Sequence, residues 1–106
     1  ITNVNYKHQK GEYGIVLLPE YTGKNIAFEA SALLINYVFI NLPINKIYLE
    51  VFESNLKAIK LYEKLGFKKE GLLIEEYFKN GTFKNILKMG ILKKEWKNST
   101  KYKTFR

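Results

Sequence analysis

The residues whose spacing best supports chemistry lie between a short apolar run and a helix. Gly14–Leu18 is an apolar stretch closed by Pro19 and reads as a buried strand. Glu20–Lys24 reads as a turn, and an amphipathic helix starts near Asn25 or Ile26. The first N–H groups of a helix have no intrahelical partner, and the positive end of the helix dipole coincides with them. Thr22–Ala27 is therefore the expected seat of an anion, and a phosphate-bearing ligand is the first to consider. Other chemistries are thinly supplied. With no Cys there is neither a disulfide framework nor a thiolate metal site, and the single histidine, His8, builds no metal cluster. His8 lies in a polar, aperiodic stretch and is expected on the surface.

A length of 106 residues predicts one domain, and an apolar content of 46% predicts a globular one. No apolar run is long enough to span a bilayer and no signal peptide precedes the first strand, so the cytoplasm is the expected compartment. The net charge of +8 favours anionic partners. Half of it sits in Lys97, Lys101, Lys103 and Arg106, a basic tail over 97–106 that reads as solvated chain. Nucleic acid is the weaker candidate partner. Its recognition needs basic and aromatic residues interleaved on one surface, whereas here the aromatics fall mostly in core phases.

The elements that would position the anion site follow in order. Residues 1–11 read as the end of a strand with a turn at Lys10–Gly11. The helix Ile26–Asn41 places Ile26, Ala30, Leu33, Leu34, Tyr37 and Val38 on one stripe and stops before Pro43. Lys46–Phe52 alternates, with Ile47, Leu49 and Val51 on one face and Tyr48, Glu50 and Phe52 on the other. Strand, helix and strand predict a right-handed unit with parallel strands. Ser54 or Asn55 caps a second helix whose stripe is Ala58, Leu61, Tyr62 and Leu65, flanked by Ile59 and closed by Gly66. Phe67–Glu70 opens a strand with a candidate bend at Gly71. Leu73–Phe78 and Phe83–Leu92 flank Asn80-Gly81, a strong hairpin signal. The expected class is α/β (α+β): strand–helix–strand–helix, then an antiparallel hairpin, in one mixed sheet.

Asn55–Gly71, NLKAIKLYEKLGFKKEG, resembles the C-terminal signature of GNAT acetyltransferases, Asn-x-x-Ala-x-x-x-Tyr followed by Gly-Phe. PEYTGKNIAFEASALLINYVF resembles the family's acetyl-CoA pyrophosphate loop and helix, and Asn80–Trp96 its last hairpin. The resemblance runs from about Gly11 to Trp96 and is nearest to members acting on ribosomal-protein N-termini, amino-sugar nucleotides and similar amines. Thr22 stands where the family loop usually has Arg or Gln, and Asn25 where it has Gly; Ala27 fits the small residue at the motif's end. The family's N-terminal strand, two helices and two further strands have no counterpart in residues 1–96. Three expectations follow: a fragment, a truncated gene product, or a homodimer in which a second copy completes the sheet, as an open edge beside Gly14–Leu18 would invite.

The resemblance implies an acetyl-CoA-dependent N-acetyltransferase without a metal, in which a primary amine attacks the thioester directly. Tyr62 matches the family tyrosine and becomes the expected general acid for the leaving thiolate. Backbone amides at Val16, Leu17 and Leu18 would serve the oxyanion and the pantetheine arm. Gly23, Lys24, Asn25, Ile26 and Ala27 would present amides to the pyrophosphate. Asn55 would reach the pantetheine, and Ala58 and Lys64 the adenosine side. Glu12 and Glu50 are candidate bases, and Glu75 and Tyr77 candidate walls of an amine site. The alternative expectation is an inactive remnant of the family that binds CoA weakly or serves as an oligomerisation module.

Overall fold

A computed structural model describes residues 2–12 and 26–97, with side chains described for 5–12 and 27–97. The elements are β1 (Thr2–Asn5), β2 (Lys10–Glu12), α1 (Ile26–Asn41), β3 (Lys46–Phe52), α2 (Leu56–Leu65), β4 (Lys68–Lys79), β5 (Thr82–Leu92) and α3 (Lys93–Lys97). The strands form one five-stranded mixed sheet in the order β1-β2-β3-β5-β4. β2 and β3 are parallel, with Lys10, Gly11 and Glu12 opposite Lys46, Ile47 and Tyr48. α1 is therefore the crossover the sequence predicts, and the α+β class holds. No described helix is long and apolar enough to cross a membrane.

β3 divides the molecule. Ile47, Leu49 and Val51 are buried and stand opposite Ile91, Met89 and Leu87 of β5. These pairs meet Ile35, Val38 and Phe39 of α1, Ile59 and Leu65 of α2, and Trp96 of α3 in one cluster. All three helices thus contribute to the same face. Tyr48, Glu50 and Phe52 point to the other face and stay partly or fully exposed.

Two expectations are corrected. The turn near the start is Tyr6–Gln9, and Lys10–Gly11 belong to β2. The Asn5 side chain accepts from the His8 N–H at 3.1 Å, and Gln9 takes φ +53°. This Asx-type local bond closes the turn earlier than glycine placement suggests. β1 pairs antiparallel with β2 over Lys10–Glu12; the predicted strand Gly14–Leu18, and with it the edge where a second copy is expected to pair, is not among the described residues. Second, the buried side of α1 is Ala27, Ser31, Ala32, Ile35, Val38 and Phe39, while Leu33 and Tyr37 are 53% and 60% exposed and Ala30 is exposed. α1 is apolar on nearly every side, so periodicity does not select a face; fit against the sheet does.

α2 follows its sequence signals closely. The Asn55 side chain accepts from the Ala58 N–H at 3.2 Å, making Asn55 the cap. Gly66 takes φ +112° and donates to the carbonyls of Tyr62 and Glu63. Ile59 is core rather than flank, while Ala58, Leu61 and Tyr62 are half-buried. In β4 the register slips between Lys69 and Gly71, where a bend was expected, and again between Leu73 and Tyr77. Asn80 and Gly81 both have positive φ, as the tight hairpin turn requires. Gly90 permits a close crossing: Lys46 of β3 pairs with Glu70 of β4 at 2.8 Å above it. A Cβ at Gly90 would lie 2.7 Å from the Glu70 carboxylate.

Three side-chain contacts fasten α3, which includes Lys97 of the expected tail. The buried Trp96 indole donates to Asn36 Oδ1 of α1 at 3.0 Å. The Glu95 carboxylate accepts from the Leu92 N–H at 3.0 Å and pairs with Lys68. The Lys68 hydrogen bond, then the Leu92 amide, hold the Glu95 carboxyl below its ordinary value of 4.5. A lowered folded-state value adds stability that is complete above the unfolded value and is lost as pH falls through the folded one. Glu95→Gln is expected to cost about 1 kcal/mol at neutral pH. Thermal unfolding of both proteins should converge in acid below the carboxyl's folded-state titration; a pH-independent difference would show that the charge does not act.

Candidate active site

The site is best followed from α2, because both of its ends are fixed. Tyr62 sits one turn before the Gly66 cap, and its carbonyl accepts from the N–H groups of Gly66 and Phe67 at 3.1 and 2.9 Å. The chain then folds back, and the Phe67 ring meets the Tyr62 ring edge to face with centroids 5.9 Å apart. The phenol is half-buried on the helix side of the sheet, and burial raises its pKa above 10.0. It is therefore protonated at neutral pH and available as a proton donor.

Lys64 joins the two helices. Its ammonium lies over the Phe28 ring, 5.0 Å from the centroid, beside the first turn of α1. A cation is thus placed next to the helix start read as the anion seat. Of the residues expected there, Ala27 is buried against the core. Ile26 opens α1, with its side chain outside the described residues. Thr22, Gly23, Lys24 and Asn25, like Val16, Leu17 and Leu18, lie outside the described residues altogether. Asn55 caps α2 and Ala58 packs half-buried one turn along.

The two candidate bases stand on the other side of the sheet from Tyr62. Glu12 is half-buried and lies opposite Tyr48 across the β2–β3 ladder, and Glu50 is exposed two residues along β3. Burial, then the Glu12 and Glu50 charges, raise the Tyr48 pKa. The acid and the bases are therefore not within one side-chain cluster; a ligand engaging both must reach both faces. His8 is exposed in the first turn.

The hairpin carries residues whose roles pattern reading missed. Asn85 accepts from the Glu75 N–H at 2.8 Å and donates to Glu53 at 3.0 Å, fastening the β4 bulge to the chain just before α2. Glu75 has φ +52° there. Past the bulge, Tyr77 packs edge to face on Phe52, with centroids 5.7 Å apart. A polar residue in a hairpin gives no sequence signal for such a long-range clamp. A groove between α2 and the hairpin, walled by Leu56, Ile59, Leu72 and Leu87, is lined by none of the predicted site residues.

A parallel strand–helix–strand unit, a doubly capped helix and an antiparallel hairpin give the α+β fold of GNAT-like acetyltransferases. The family description "Acetyltransferase (GNAT) domain" matches residues 1–68, and the chain belongs to that family. It is 40% identical over 96 residues to the spermidine N(1)-acetyltransferase of Escherichia coli (strain K12), covering 91% of this chain and 52% of that protein. It also resembles the Vibrio cholerae spermidine N-acetyltransferase solved in complex with CoA and spermine, with TM-score 0.84 and 40% identity over 90% of this chain and 56% of that one. A structure of the Vibrio cholerae enzyme described as dodecameric matches with TM-score 0.84 and 40% identity, covering 90% and 56%. The chain spans about half the length of the relatives it matches.

If Lys64 serves an anion at the start of α1, Lys64→Ala should raise the acetyl-CoA dissociation constant roughly three- to tenfold, with the penalty shrinking at high salt. Titration calorimetry at two ionic strengths measures it. Unchanged affinity would remove Lys64 from the cofactor site.

Proposed function

We propose that this chain acts as an acetyl-CoA-dependent N-acetyltransferase and that its acceptor is a polyamine of the spermidine type. The observation that carries the reading is the Asn55–Phe67 segment, where two caps hold a half-buried, protonated phenol on the helix that carries the family's motif. The names of the relatives at about 40% identity favour a polyamine over the ribosomal N-termini and amino sugars that the family resemblance alone brings forward.

In this reading acetyl-CoA lies on the helix side, with its pyrophosphate at the start of α1 and its pantetheine passing Asn55. The acceptor approaches from the open side. Its neutral amine attacks the thioester carbonyl, and backbone amides at Val16–Leu18 stabilise the oxyanion. The C–S bond breaks, and Tyr62 gives its proton to the departing thiolate. The proton from the amine passes to Glu12, to Glu50 or to water. Self-association belongs to the same reading: one relative is dodecameric, and α1 turns Leu33, Tyr37 and Ile40 outward.

Tyr62→Phe should lower kcat for spermidine acetylation by at least about tenfold while leaving acetyl-CoA affinity within twofold, because it removes a proton and little volume. Product formation followed by mass spectrometry, with calorimetry for the cofactor, tests both halves. Undiminished turnover would exclude Tyr62 as the acid, and absence of product from the unaltered chain with any amine would overturn the reading.

A further inference from the structure

The open face of β3 holds more than the proton acceptor that the transfer chemistry needs. Tyr48, Glu50 and Phe52 alternate with the buried residues and so share that face. Successive same-face positions on a strand are about 6.6 Å apart, so ring, carboxylate and ring follow one another at that step along roughly 13 Å. Each ring already holds an ammonium group. Lys10 Nζ lies 5.6 Å from the Tyr48 centroid, and Lys79 Nζ lies 5.0 Å from that of Phe52. Both distances are within cation–π range, so these ring faces accept an alkylammonium in this fold. Tyr77 closes the Phe52 end edge to face, and its position follows from the bulge that Asn85 clamps.

We infer that Tyr48, Glu50 and Phe52, with Tyr77 as end wall, form a track for a linear polycationic amine lying along β3, in which substrate ammonium groups replace those of Lys10 and Lys79. The inference rests on the acceptor reading above and deepens it. The repeat selects the ligand chemistry. Charged nitrogens separated by short methylene spacers match ring–carboxylate–ring steps, and the spacers lie on the rings. A monoamine can occupy one step only. An anionic acceptor finds Glu50 where its charge would fall. Glu50 then acts as a counter-charge, and the proton of the attacking amine is left to Glu12 or water.

The test compares spermidine with propylamine as acceptors for Phe52→Leu, Phe52→Tyr and Glu50→Gln, alongside spermidine titration without acetyl-CoA. Phe52→Leu should raise the spermidine KM and dissociation constant roughly five- to thirtyfold while leaving propylamine kinetics within twofold; Phe52→Tyr should restore spermidine binding. Glu50→Gln should raise the spermidine KM roughly tenfold more than it raises the propylamine KM. Equal loss for both amines, or no loss for either, overturns the track. So does a fall in kcat for both amines in Glu50→Gln, which would make Glu50 the base. If spermidine binds in a Phe52-dependent way but no acetyl group is transferred, the track stands and the acetyltransferase reading fails. If propylamine is acetylated but spermidine binding ignores all three changes, the reverse holds.

Discussion

The alternation of β3 is the constraint on which the rest of the structure depends. Ile47, Leu49 and Val51 must be covered, and α1, α2 and Trp96 cover them from one side. Each fully buried side chain of this size contributes about 1.5–3 kcal/mol relative to exposure, so a one-residue slip of β3 would exchange that gain for three exposed aliphatics. The same alternation fixes Tyr48, Glu50 and Phe52 on the opposite side. Core and open face are therefore set together by one seven-residue strand.

Both sides are then locked by longer-range contacts. On the helix side, Lys64 over Phe28 joins the end of α2 to the start of α1, and the Asn36–Trp96 bond joins α1 to α3. On the open side, Lys46–Glu70 spans β5 above Gly90; at the hairpin, Asn85 holds the β4 bulge to Glu53. The phenol and the carboxylates occupy opposite sides of the sheet, which suits a reaction whose two substrates arrive separately. Burial raises the Tyr62 phenol above its ordinary value, so it carries its proton at neutral pH.

Much of this was legible in the residues. The bounds of α1 and β3 were readable to the residue, because Pro43 stops one element and clean alternation marks the other. Asn55, Gly66 and Asn80-Gly81 were readable because local hydrogen bonding and positive φ leave residue-type signatures. The buried face of α1 was not, since Leu33, Tyr37 and Ile40 are as apolar as the residues that pack. The first turn was misplaced because an Asx bond at Asn5 closes it without glycine. The roles of Asn85 and Gly90 were hidden because both depend on partners brought together only by the sheet. In the candidate site, Tyr62, Asn55 and Lys64 came from the motif, whereas the separation of Tyr62 from Glu12 and Glu50 across the sheet needed the fold.

The most direct test of where the cofactor sits is amide hydrogen exchange with and without acetyl-CoA. Exchange should slow at the first turn of α1 and along Asn55–Tyr62, with the hairpin around Asn80 unchanged. Protection confined to the groove beside Leu56 and Leu72, or no protection at all, would contradict it.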